Sequence, residues 1–109
     1  LPLSAASLML SFRTMFDSAR AAGLATSGSI RIGAERFRVA VADARLVAER
    51  GDPEDGAFVI AAPLPMPIAA AAYGKVPFAE LAGAGLLVDG DVGAAWRFLD
   101  CFILPEKVG

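Results

Sequence analysis

Apolar and polar positions alternate along this chain in two different rhythms, and the places where the rhythm changes divide it into elements. Near the end, an apolar run at residues 86–88 gives way to Asp89-Gly90-Asp91, and then Val92, Ala95, Trp96, Leu99 and Phe102 recur at helical spacing. This predicts a short buried strand, a turn and a closing amphipathic helix. Asp91 stands where a carboxylate accepts the unpaired N–H groups of the first helical turn. The chain opens with the same helical rhythm: Ala5, Leu8, Met9, Phe12, Met15, Phe16 and Ala19 fall on one face, and Ser11, Arg13, Thr14, Asp17, Ser18 and Arg20 on the other. The expected helix ends near Ala22, with Gly23 as its left-handed cap.

From Gly28 the period drops to two. Ile30 and Ile32 alternate with Ser29 and Arg31, and Phe37, Val39 and Val41 alternate with Arg36, Arg38 and Ala40, the pattern of half-buried antiparallel strands. Gly33-Ala34-Glu35 has hairpin length. Asp43-Ala44 makes a second tight turn, and residues 45–50 supply a third strand with Leu46 and Ala48 on one face. After a loop at residues 51–56, residues 57–62 show little alternation and read as a strand covered on both sides. The expectation is a meander of four strands.

Pro63, Pro65 and Pro67 interrupt an uncharged stretch, residues 56–74, that would otherwise approach the length of a membrane span. Prolines at alternate positions remove backbone donors and block a continuous helix there. The stretch divides into the fourth strand and an alanine-rich helix, residues 63–73, stopped by Gly74, so no membrane insertion is expected. A short helix at 77–82, a turn through Gly83 and Gly85, and the fifth strand at 86–88 follow, and Pro105 bars extension of the last helix. Strands and helices segregated in this way imply an α+β domain: a five-stranded, antiparallel-type sheet with helices packed on one face.

At 109 residues the chain has the size of one domain. Its hydrophobic content of 56% and mean hydropathy of +0.56 exceed what a solvated domain of this size needs. The excess points to an apolar cavity or a partner surface. Ten basic and twelve acidic residues leave a net charge of -2, against tracking of a phosphate backbone by this segment. With no histidine and one cysteine, Cys101, a disulfide within the chain is excluded and the usual zinc ligand sets are missing; no cofactor is expected. The chain starts at Leu1 without a signal-peptide pattern and is expected to be a piece of a longer, cytoplasmic protein.

These elements resemble the sterol carrier protein type 2-like fold. The resemblance covers residues 24–104 and rests on Gly-Ser-Ile-Arg-Ile-Gly-Ala-Glu-Arg-Phe-Arg-Val-Ala-Val-Ala-Asp-Ala-Arg-Leu (28–46), Ala-Ala-Pro (61–63) and Leu-Leu-Val-Asp-Gly-Asp (86–91). Within that group the chain looks most like the domain that follows the DNA-binding part of HxlR-like winged-helix transcriptional regulators of actinobacterial type. The resemblance implies residues 1–23 as a linker or dimer helix to a missing upstream domain, residues 24–109 as the domain proper, and an apolar tunnel between sheet and helices. Pro65 and Pro67 depart from the family pattern by falling where relatives carry helix formers, so a displaced or shortened helix start is expected. Ala69 to Ala72 depart by being small.

Reactive chemistry is weakly signalled. Asp43, Asp89 and Asp91 occupy turn or cap positions, where carboxylates satisfy backbone N–H groups, Tyr73 reads as a core residue with its hydroxyl at the rim, and Cys101 as a small buried hydrophobe. Arg31, Arg36 and Arg38 form a solvated stripe opposite the isoleucines. The candidate ligand-binding residues are Phe12 and Phe16 of the first helix, Phe37, Val39, Phe58 and Ile60 of the sheet, Ile68 of the alanine-rich helix, and Trp96 and Leu99 of the last. The expected function is non-catalytic binding of a fatty acid or other apolar small molecule, as the effector-sensing part of a homodimeric regulator that meets nucleic acid only through its upstream domain. A dimerisation domain without ligand and a stand-alone lipid carrier are the alternatives.

Overall fold

Ser4 opens the first helix by accepting the Ser7 N–H at 3.0 Å in the computed structural model, which describes residues 3–52 and 55–105. Helix α1 (Ala5–Met15) buries Ala5, Leu8, Met9 and Phe12. It stops well before Ala22, where the apolar spacing had placed its end. Phe16 is extended at φ -64° and ψ 126°, and Asp17 then organises the backbone around itself: its Oδ1 accepts the Ala19 and Arg20 N–H groups at 2.9 and 3.2 Å. A side chain that satisfies nearby backbone donors competes directly with helix. The apolar rhythm persists for another reason, since Phe16 packs on Phe102 and Ala21 is fully buried in the following turn.

Strands β1 (Thr26–Ile32), β2 (Glu35–Ala42) and β3 (Arg45–Arg50) form the expected antiparallel hairpins. Gly33, at φ 59°, takes the first loop position of the β1–β2 turn, where a positive φ matches the twist of the strands. In the β2–β3 turn Asp43 and Ala44 are both left-handed, at φ 52° and 57°. This mirror-image turn favours Asn-Gly and is strained with alanine.

The four-strand meander does not form. Strand β4 (Phe58–Ala62) crosses to the far side of β1 and pairs with it in parallel, from Gly28↔Phe58 to Ile32↔Ala62. Strand β5 (Leu87–Gly90) adds antiparallel to β4, and the mixed sheet has the order β3-β2-β1-β4-β5. Burial explains the crossover: Phe58, Ile60 and Ala62 are buried and Val59 and Ala61 half-buried, so β4 belongs inside the sheet. Strand β3, with Arg45, Glu49 and Arg50 exposed, suits an edge. Of the loop expected at 51–56, Pro53 and Glu54 lie outside the described residues. Gly28 faces the Phe58 ring so closely that a Cβ there would collide with it.

Helix α2 (Pro65–Tyr73) starts with prolines at its first and third positions, where N–H groups have no intrahelical acceptor. The expected start at 63 is therefore displaced by two residues, while Gly74 follows the last turn as expected. Helix α3 (Phe78–Leu81) continues into a tighter turn at 82–84. The fifth strand begins one residue later than expected, which leaves Leu86 buried and Leu87 70% exposed.

Helix α4 (Val92–Leu99) is capped as expected, Asp91 Oδ1 accepting the Ala94 N–H at 2.9 Å. Its buried side is rotated from the expected stripe: Ala94, Ala95, Phe98 and Leu99 face the core, Val92 is 50% exposed and Trp96 is half-buried. The helix ends at Asp100, well ahead of Pro105, where Lys75 Nζ donates to the carbonyls of Leu99 and Phe102 at 3.3 and 2.7 Å. A cation at a helix C-terminus satisfies carbonyls that lack partners and complements the helix dipole. Helices α1, α2 and α4 pack on one face of the sheet, as the α+β reading required.

Candidate apolar-ligand site

The inward positions of the strands supply the floor of the helix–sheet layer: Ile30, Phe37, Val39, Phe58 and Ile60 are all buried. Ile68, from α2, and Leu99, from α4, are fully buried above it. Phe12 descends from α1 and stacks on Phe102 at 4.2 Å between ring centroids, with Phe98 edge-on at 6.4 Å and Tyr73 tilted at 6.0 Å. Phe98 meets Phe58 at 5.5 Å. The rings thus form one connected aromatic cluster linking α1, α4 and the sheet.

Two of the nine candidate residues sit at the margin of that layer. Phe16 is half-buried beyond the end of α1, against Phe102, and Trp96 packs edge-on against Phe78 of α3 at 5.2 Å. The remaining seven, Phe12, Phe37, Val39, Phe58, Ile60, Ile68 and Leu99, are in the core and in mutual reach through it.

Polar contacts pin α1 along its two flanks. Ser11 Oγ lies 2.7 Å from the Tyr73 hydroxyl and also donates to the Leu8 carbonyl. Burial raises the Tyr73 pKa, partly offset by the Ser11 bond, so the hydroxyl stays protonated at neutral pH. On the opposite flank Arg13 donates to the Ala48 carbonyl of β3. Between α1 and β3 lies a hollow of about 140 Å³, lined by Met9, Leu10, Phe37 and Ala48, with Arg13, Glu49 and Arg50 also on its wall. The C-terminal end of α1 is tied to the segment after α4: Asp17 N–H donates to the Cys101 carbonyl at 2.8 Å, and Ile103 N–H to the Met15 carbonyl at 3.3 Å.

The outer face of the sheet has a different chemistry. Arg31, Arg36 and Arg38 lie there as expected, with Arg36 bonded to Asp52 at 3.0 Å and Arg38 to Glu49 at 2.7 Å. A hollow of about 380 Å³ over Ser27, Arg38, Ala40, Val47 and Glu49 lies on this side. Ser29, in register with Arg38, is 1% exposed, and its hydroxyl has no partner among the described residues.

The candidate acids are all occupied structurally: Asp91 caps α4, Asp89 accepts the Gly90 N–H at 3.0 Å, and Asp43 forms the hairpin turn. Cys101 is fully buried, donates to the Arg97 carbonyl at 3.4 Å, and has its pKa raised by burial and then by Asp100. Among the described residues no group of three or more His, Cys, Asp or Glu is placed to hold a metal ion. No described helix is long and apolar enough to cross a membrane.

Sequence reasoning missed the Ser11–Tyr73 bridge, the Lys75 cap and the joint placement of Arg13 and Arg50. Each spans distant parts of the chain, and periodicity carries no record of such pairings. Arg50 alone was within reach, because it shares strand parity with Leu46 and Ala48.

The chain matches no protein-family model and no curated protein sequence. Among solved structures it is similar to UbiJ-SCP2, a ubiquinone synthesis protein, at 13% identity and a TM-score of 0.66, covering 86% of this chain and 88% of that one. It is also similar to part of Pisa1, a stereoselective inverting sec-alkylsulfatase from Pseudomonas sp., at 14% identity and a TM-score of 0.73 over 87% of this chain. The S233Y F250G double mutant of that sulfatase gives a TM-score of 0.78 at 14% identity over 95% of this chain. The chain spans only 16% and 17% of the sulfatase chains. These likenesses establish the architecture: a sterol carrier protein type 2-like α+β fold.

Proposed function

We propose that this is a non-catalytic domain that binds an apolar small molecule, such as a fatty acid, between its sheet and its helices. The observation that carries the reading is the pairing of a sterol carrier protein type 2-like fold with an aromatic cluster that joins α1 and α4 over an apolar floor. The lining comprises Phe12, Phe16, Phe37, Val39, Phe58, Ile60, Ile68, Trp96 and Leu99. A permanently empty pocket of about 300 Å³ would cost on the order of 7 kcal/mol at ~24 cal/mol per Å³, comparable with the whole stability of a domain. A closed resting core is therefore the reasonable ground state, and ligand enters by moving a helix. Helix α1 is the one to move: its flanks are held by a hydroxyl pair and one arginine, and the backbone bonds of Met15 and Asp17 to the segment after α4 leave its C-terminal end as the pivot.

The carrier reading draws more support than the regulator reading from the mutual coverage with UbiJ-SCP2, 86% of this chain and 88% of that one. An effector-sensing role next to a winged-helix domain rests on the resemblance in the sequence, and homodimer formation and a cytoplasmic location belong to that same reading. Ligand binding would then act by population shift, requiring different affinity for two arrangements of the upstream domain. The gene sequence upstream of Leu1 separates the contexts.

The binding claim itself is tested by native mass spectrometry of freshly purified protein and by titration with a fluorescent fatty acid. Retained or titratable ligand with a stoichiometry of one supports it. A protein that retains nothing and binds no alkyl probe contradicts it.

A further inference from the structure

We propose that the seam between α1 and β3 is the mouth of the site and that it selects single-chain amphiphiles with an anionic head, held by Arg13 and Arg50; this rests on the apolar-ligand reading above. The hollow at that seam combines apolar and charged surface. Met9, Leu10, Phe37 and Ala48 are apolar, Arg13 and Arg50 stand over them, and Glu49 also contributes to the lining, its carboxylate bonded at 2.7 Å to Arg38 of the outer face. Arg13 is the cation to note. Its guanidinium donates to the Ala48 carbonyl, and no carboxylate lies within 4.0 Å of it among the described residues. A guanidinium carries five donors in a planar fork suited to carboxylate, sulfate or phosphate, so most of that capacity is open to a ligand.

Arg50 is poised differently. Its guanidinium lies 5.0 Å above the Phe37 ring and 2.9 Å from Glu35. The ring fixes the cation at the boundary between apolar floor and water, and an incoming anion competes with an exposed glutamate rather than with a buried one. The chain as a whole carries a net charge of -2, so no general field draws anions and any preference is local. About 140 Å³ accommodates a head group and its first carbons. The remaining tail runs under α1, where Met9 and Phe12 now pack, so occupancy and displacement of α1 are coupled.

The test is a paired titration with cis-parinaric acid and its methyl ester at about pH 8, where the free acid is ionised. The native protein is expected to bind the acid about ten-fold more tightly than the ester, the scale of a charge-assisted hydrogen bond. In Arg13→Gln the ratio falls towards one while ester affinity is kept. Arg13→Lys retains part of the preference, and Arg31→Gln, on the opposite face of the sheet, leaves it unchanged. Because Arg13 also holds β3, Arg50→Gln provides a second arm, with thermal melts confirming that each variant is folded. Equal binding of acid and ester, or a ratio unmoved in both Arg13→Gln and Arg50→Gln, overturns the anionic-head proposal and leaves the apolar-ligand reading standing. Binding of neither probe overturns both.

Discussion

Helices α1 and α4 cover the same face of the same sheet and both send side chains fully into the core, yet their polar fastenings differ. Helix α4 lies over β1, β4 and β5 with Ala94 and Ala95 buried, sends Phe98 and Leu99 fully into the core, and is capped at both ends, by Asp91 and by Lys75. Helix α1 lies over the β3 edge, with Leu8 and Phe12 fully buried, and its flanks are secured by Ser11–Tyr73 and Arg13–Ala48. Close packing is costly to interrupt anywhere. A hydrogen bond at a half-buried rim exchanges with water at small net cost. A fold that opens for a ligand and recloses is expected to use the second kind of contact on the part that moves.

Truncating the anchors separates the two helices most strongly. Phe98→Ala is expected to lower global stability by about 3–5 kcal/mol, with loss of protection throughout the sheet. Phe12→Ala should cost less than that, because α1 can detach and limit the penalty. Its signature is fast hydrogen exchange confined to residues 5–15 while β1, β2 and β4 stay protected. Urea denaturation together with exchange mass spectrometry reads both. Equal global losses with uniform deprotection would erase the distinction between the helices.

Two milder substitutions sharpen it. Asp91→Ala removes the α4 cap and should cost about 1 kcal/mol of global stability, measured by chemical denaturation. Tyr73→Phe removes the partner of Ser11 and should cost roughly 0.5–1.5 kcal/mol, appearing as faster exchange in α1 rather than in α4.

How much of this was legible in the sequence follows from what each signal depends on. The hairpins, the cap at Asp91 and the outward arginines depend on local alternation and turn chemistry, and they form where the pattern places them. The end of α1 does not, because the apolar spacing through Phe16 and Ala19 cannot distinguish a helical turn from a tail that packs on Phe102. The parallel crossover of β4 is likewise non-local: residues 57–62 announce a strand covered on both sides, but the expected meander set it beside β3, and local pattern holds no record of its pairing with β1 instead. Of the candidate rings, Phe12, Phe37 and Phe58 are buried in the core and Phe16 and Trp96 stand at its margin. Phe98 and Phe102, which complete the aromatic cluster, were not among the candidates, Phe98 lying off the expected apolar stripe of the last helix. The polar pins around α1 were not legible, since Ser11 and Tyr73 stand 62 residues apart in the chain.

The smallest effects concern groups near α4. Burial raises the Cys101 pKa from its ordinary 9.0. A native thiol with a raised pKa contributes stability that is complete below about pH 9 and is lost as pH climbs through the higher native value. Cys101→Ala should therefore show a shallower alkaline decline in urea midpoint than the parent. Tyr73, raised in the same sense, leaves part of the slope in place, and Lys75, lowered chiefly by burial, acts in the opposite direction.

The most direct measurement of the central claim is hydrogen exchange of the protein with and without a saturating fatty acid. The account predicts altered exchange in residues 5–15 and across Phe37 and Ala48, with α4 and the outer face of the sheet unchanged. No change anywhere, or a change confined to the outer face around Arg31 and Arg38, would contradict it.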